Sequence, residues 1–176
     1  SYFDNLKVMI ITEESTGISA LLAGDIDNYA RTTGYSMTNV PLFSGRKDIE
    51  LISKDLQLVL YFGMQCKEGA VFNNPKLREA FSLAINRQEI VDFILERGSV
   101  ANGILVRGVN GHDPSMPIYE YNPERAKALV KEGGYDGTPI MLSSNTGTPQ
   151  ADEILPVVAE MLNKVGFKAS SQILES

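Results

Sequence analysis

The chain has 176 residues, 43% hydrophobic content and a formal charge of −6. That length suits one domain, or one lobe of something larger, and is enough to bury a core. The acidic balance, with basic residues scattered among acids, excludes a face built to track a phosphate backbone.

Residues 6–12 (LKVMIIT) form an apolar, β-branched run that predicts a buried strand. A helix is expected over residues 13–24, with Ile18, Leu21 and Leu22 on one face and Gly24 at its C-terminal cap. Residues 25–30 (DIDNYA) alternate polar and apolar, which predicts a second short strand. Ser36 can cap a short helical stretch toward Phe43, limited by Pro41 and Gly45. The most strand-like window is residues 56–65 (LQLVLYFGMQ), with an expected partner at residues 49–53.

The pattern then turns helical. Asn74 caps a helix with Pro75 at its first position and Leu77, Phe81, Leu83 and Ala84 as its stripe. Asn86 caps a second helix, residues 87–97, whose face is Ile90, Val91, Ile94 and Leu95 and whose end is Gly98. Residues 101–117 read as a long ordered loop, of a length that is often functional. Asn122, Pro123 and Glu124 open a third helix, with Ala126, Leu129 and Val130 inward and Gly133-Gly134 at its end. A strand at residues 138–144, a helix at residues 151–165 and a strand at residues 167–174 complete the chain. The order predicts an α/β or α+β lobe: a mixed sheet with flanking helices, its last two strands parallel across the helix.

Three segments carry a resemblance. FNNPKLREAFSLAINRQEIVDFILERG, residues 72–98, is similar to a stretch of the family 5 extracellular solute-binding proteins of ABC importers, the oligopeptide and dipeptide binders. Phe72, Arg78, Ala80, Ala84, Ile85, Arg87, Ile90, Val91 and Gly98 fall on its pattern, and Asn86 stands where that family usually has Asp. YEYNPERAKALVKEGGY, residues 119–135, and LLAGDIDNYA, residues 21–30, resemble two further stretches in the same order and spacing. Each segment also has a structural reading: Arg78 and Arg87 tie helix ends to loops, and Tyr119 and Tyr121 pack on the helix they precede.

The resemblance implies a periplasmic-binding-protein-like II fold, with two lobes that close over a ligand by a hinge. Residues 1–66 are then a segment of the first lobe with the crossing strand, and residues 67–176 most of the second lobe, expected to continue past Ser176. The implied function is the substrate-binding component of an importer, taking peptides and delivering them to transmembrane permease subunits. The implied place is the periplasm or the cell surface, with membrane attachment only through a lipid anchor outside this sequence, and no nucleic acid as partner. The strand that crosses near the cleft corresponds to residues 60–65, making Tyr61, Phe62, Met64 and Gln65 the candidate ligand-binding residues. The family usually shows a Phe-Asn pair there; this chain has Phe62-Gly63-Met64-Gln65, which leaves ligand identity open. The alternatives are the sensory domain of a transcription regulator with the same fold, and a binder of nickel, haem or another small solute.

No catalytic, metal or cofactor site is expected. His112 is the sole histidine, and its neighbours Asp113 and Ser115 are adjacent in sequence without implying triad geometry. Cys66 is the sole cysteine, so no intrachain disulfide can form, and it reads as a buried or half-buried thiol. One His and one Cys cannot complete a four-ligand zinc site without carboxylates. No apolar run reaches the roughly 18 residues that span a bilayer, and an export signal is expected outside this sequence.

Overall fold

A computed structural model of the protein describes residues 4–31, 39–52, 57–145, 148 and 150–175. The chain divides into two compact units, Ser1–Ile52 and Ser53–Ser176.

In the first unit, helix α1 (Glu14–Ala23) ends at Gly24, whose φ of 79° is the left-handed cap expected there. The Gly24 and Asp25 N–H groups close the helix onto the Leu21 and Ala20 carbonyls at 3.2 and 2.9 Å. Gly17 is required by packing: a Cβ there would lie 2.1 Å from the Tyr29 ring. Glu14 accepts from Asn39 Nδ2 at 2.7 Å and pairs with Arg31 at 3.6 Å. A 3-10 turn, Val40–Phe43, begins around Pro41 and buries Phe43; Ser36, expected to cap it, lies outside the described residues.

The strands expected at residues 6–12, 25–30 and 49–53 do not form among the described residues. Leu6 and Ile10 are 80% and 92% exposed. Their composition suits a strand, but a strand is stabilised by a ladder partner and by burial of one face, neither of which reaches them here.

The second unit is built as its caps predict. Helix α2 (Pro75–Ala84) starts where Asn74 Oδ1 accepts the Lys76 N–H at 2.9 Å, and Pro75 fills a first-turn position that needs no N–H. Helix α3 (Arg87–Ile90) is capped by Asn86 Oδ1, which accepts from the Glu89 N–H at 3.2 Å. It continues as a π turn, Val91–Leu95, and stops at Glu96 (φ 52°), earlier than the expected end at Gly98. Helix α4 (Pro123–Glu132) begins under Asn122 Oδ1, which accepts the Arg125 N–H at 3.0 Å. Residues 101–117 form the expected irregular loop, and Asn102 Nδ2 donates across it to the Asp113 carbonyl at 2.9 Å. Tyr119 and Tyr121, expected to pack on the helix they precede, are 57% and 48% exposed.

Strand β1 (Ile140–Asn145), helix α5 (Ala151–Lys164) and strand β2 (Ala169–Leu174) follow. The strands are parallel, in register from Ile140 opposite Ala169 to Asn145 opposite Leu174. The chain is thus α/β in class, and the sheet of the described residues is this parallel pair. Asn163 of α5 grips the start of β2 with both ends of its amide, accepting the Ala169 N–H at 2.7 Å and donating to the Ala169 carbonyl at 3.0 Å.

One core joins these elements. Leu77, Ala80, Phe81 and Ala84 of α2 meet Ala126, Leu129 and Val130 of α4, with Val158 and Leu162 of α5 and Ile140 and Leu142 of β1. The helical spacings of three and four place each set on one face. Residues 57–65 form no helix or strand; exposure alternates from Tyr61 to Gln65, and Phe62 and Met64 pack against this core. That packing fixes which way the candidate residues face.

Candidate functional site

The segment at residues 58–65 is attached to the core through alternate residues, Phe62 and Met64. The Phe62 ring meets Phe81 edge-on at 5.5 Å between centroids, and Phe81 meets Phe72 the same way at 5.4 Å. Edge-to-face contact is a preferred aromatic geometry and adds to the burial of the rings. Met64 also packs against the core. Phe62 and Met64 lie on the core while Tyr61, Gly63 and Gln65 are exposed, the alternation that an extended chain gives. Tyr61 is 73% exposed and Gln65 is also exposed.

The four candidates therefore separate into two pairs. Phe62 and Met64 support the segment from beneath, and Tyr61 and Gln65 stand on the accessible face. Between them the main chain presents N–H and C=O groups that make no backbone hydrogen bond with another described residue over residues 58–65. An extended backbone in that state can pair with another extended chain, while its outward side chains select what pairs.

The neighbourhood is held rigid by side chains that bond to main chain. Arg78 Nη1 donates to the Phe72 and Asn73 carbonyls at 2.7 and 3.0 Å. Arg87 Nη1 donates to the Ser82 carbonyl at 2.8 Å, and burial lowers this guanidinium from its ordinary value, an effect Tyr119 opposes. Both arginines tie helix ends to loops, as their positions in the sequence imply. A separate surface groove of about 530 Å³ is lined by Asn74, Pro75, Leu77, Gly133 and Tyr135 among others. None of the four candidates lines it, and Asn74 there is already engaged in capping.

The remaining chemistry-bearing residues do not converge. Asp113 Oδ1 accepts from the Ser115 N–H at 2.8 Å and from Ser115 Oγ at 2.7 Å, holding a local turn. His112 Nδ1 instead lies 2.7 Å from the Leu105 carbonyl. Cys66 is exposed rather than buried or half-buried, because the segment leaves the core after Met64; its Sγ is 3.5 Å from the Met64 carbonyl. Among the described residues no cluster of three or more His, Cys, Asp or Glu could hold a metal ion, and no helix is long and apolar enough to cross a membrane. The sequence gives Gly63 no role; the signal that could have exposed it is its place between two inward apolar residues.

Comparison with known proteins places this architecture. The model for bacterial extracellular solute-binding proteins, family 5 Middle, matches residues 1–176. The oligopeptide-binding protein AppA of Bacillus subtilis is 26% identical over 191 residues, covering 99% of this chain and 34% of that protein. Its structure in complex with a nonapeptide aligns with a TM-score of 0.52, over 60% of this chain and 24% of that one. The glutathione-binding protein GsiB of Escherichia coli K12 is 29% identical over 175 residues, 98% of this chain and 33% of its own length. A dipeptide-binding protein of Pseudoalteromonas sp. SM9913, in complex with Met-Leu, shares the fold at a TM-score of 0.71 and 20% identity, over 95% of this chain and 33% of that one. The chain spans about a third of the length of the curated relatives it matches.

Proposed function

Because this chain belongs to the bacterial extracellular solute-binding proteins of family 5, we propose that it is part of the substrate-binding component of an ABC importer that takes up peptides. The complete protein closes two lobes over its ligand by a hinge and presents it to the permease subunits. In this reading residues 1–66 contribute a segment of the first lobe and the segment that crosses near the cleft, and residues 67–176 contribute most of the second lobe. It works outside the cytoplasm, free in the periplasm or held at the cell surface by a lipid anchor.

The observation that carries the reading is the segment at residues 58–65. It is held to the core by Phe62 and Met64, its backbone makes no backbone hydrogen bond with another described residue, and Tyr61 and Gln65 are exposed. Main-chain pairing accepts many sequences, because every peptide offers the same N–H and C=O groups, and bridging waters tolerate variation in side chains. Closure is driven by ligand contacts made only in the closed state. Relatives named for oligopeptides and for glutathione favour ligands with a short amide backbone.

The test is a thermal-shift screen of the complete protein against defined di- to hexapeptides and glutathione, with nickel and simple sugars as controls. Peptide protection amounting to about 2.7 kcal/mol at a hundredfold excess over the dissociation constant is the expected result. Protection by nickel or sugar with silence from every peptide would discard the assignment.

A further inference from the structure

A glycine in an extended segment weakens it, since it has the most conformational freedom to lose and no side chain to pack. Most described glycines of this chain have a local reason to be there. Gly17 and Gly133 have no room for a Cβ, and Gly24, Gly45, Gly69, Gly98, Gly108, Gly111, Gly134, Gly137 and Gly166 have φ in the left-handed region. Gly63 has neither reason. Its φ lies outside that region, and a Cβ built on it meets nothing within 4 Å; among the described glycines it alone combines the two. No contact among the described residues requires the missing side chain.

The position of that gap is set by its neighbours. Phe62 and Met64 are anchored on the core, so the empty side of residue 63 faces out, between Tyr61 and Gln65. The absent side chain leaves open space there, a notch whose exposed neighbours two residues away are Tyr61 and Gln65. When two extended chains pair, directly opposed residues have their Cβ atoms about 4.5–5.5 Å apart and diagonal neighbours about 7–8 Å apart. A ligand residue opposite position 63 therefore has free space beside it, with Tyr61 and Gln65 within reach of a long or aromatic side chain.

We propose that Gly63 is a specificity-determining position: the notch it leaves between Tyr61 and Gln65 admits a large apolar or aromatic side chain of an extended peptide paired along residues 61–65. This rests on the peptide-binding reading above. It requires that the complete protein discriminate by size at one ligand position, and that filling the notch abolish the discrimination without abolishing binding.

The experiment uses the complete protein, with Gly63→Ala and Gly63→Val variants, and a pentapeptide series in which each position in turn is Ala or Phe. The unaltered protein is expected to favour Phe at one position by about tenfold, the scale of one well-packed apolar side chain. Gly63→Val is expected to weaken the Phe-containing peptide by about tenfold more than the all-Ala peptide, with Gly63→Ala intermediate and the ligand-free melting temperature of both variants maintained. A flat size profile in the unaltered protein, or an equal loss for every peptide in Gly63→Val, would overturn the inference and leave the peptide reading standing. A marked fall in the ligand-free melting temperature of Gly63→Ala would show that the gap serves folding of the complete protein, and would also overturn it. Silence from every peptide in the unaltered protein would bring down the peptide reading and this inference together.

Discussion

The side-chain amide of Asn74 donates to the carbonyl of Gly133 across 2.9 Å, joining the start of α2 to the end of α4. The same side chain caps α2 through its oxygen. At the opposite end of the pair, the Asn122 N–H donates to the Leu83 carbonyl at 2.8 Å while the Asn122 side chain caps α4. Two antiparallel helices are thus closed at both ends by asparagines whose capping role is visible in the sequence and whose cross-helix role is not. Asn74→Ala removes cap and tie together and is expected to destabilise by about 1–2 kcal/mol. Asn74→Asp keeps the cap, loses the donor to Gly133, and is expected to fall between the two in urea denaturation.

Close helix approach explains Gly133 itself. A Cβ there would lie 2.6 Å from Leu77 Cδ2 and 3.0 Å from the Leu129 carbonyl, although its φ of −77° suits any residue. Gly133→Ala is therefore expected to cost about 1–3 kcal/mol through crowding rather than backbone strain. The two origins separate in a double-mutant cycle. Crowding predicts a smaller cost in a Leu77→Ala background, whereas an unchanged cost would point away from the Leu77 contact.

Much of the second unit was legible because its signals are local. Asn74, Asn86 and Asn122 each precede a helix by one residue, and the apolar spacing within α2, α4 and α5 reports the face that packs. The strand-like stretches at residues 6–12 and 57–65 show the limit of such signals. Val8, Ile10 and Leu58 have strand chemistry, but a ladder depends on a partner that residue type does not specify, and all three are exposed. The π turn after α3 was equally hidden. It accompanies a bond between the Gln150 side chain and the Ile94 carbonyl, 2.7 Å long and 56 residues apart in sequence. At the candidate site, resemblance indicated the segment, but only the anchoring of Phe62 on Phe81 separates supporting residues from accessible ones.

Charge contributes at the surface of the same helix pair. Glu132 accepts from Arg125 Nη1 at 2.8 Å and from Lys76 Nζ at 3.3 Å, and these bonds, Arg125 first, hold its carboxyl below the ordinary value. A carboxylate whose folded pKa is depressed stabilises the fold fully above its unfolded value, about 4.3 for Glu, and loses that contribution as pH falls through the folded value. Glu132→Gln is accordingly expected to lower the urea midpoint at pH 7 and to leave it nearly unchanged at pH 2–3. A deficit of the same size at both pH values would assign the effect to packing.

Titration calorimetry of the complete protein with a peptide that protects it shows whether that peptide is held on the outer face of residues 61–65. Tyr61→Ala is expected to weaken binding by about tenfold with the ligand-free melting temperature unchanged, since its ring is exposed. Phe62→Ala is expected to destabilise the fold by about 2 kcal/mol, less than the ~3–5 kcal/mol of a fully buried phenylalanine, because its ring is half-buried against Phe81. Wild-type affinity in both Tyr61→Ala and Gln65→Ala would place the ligand elsewhere on the protein.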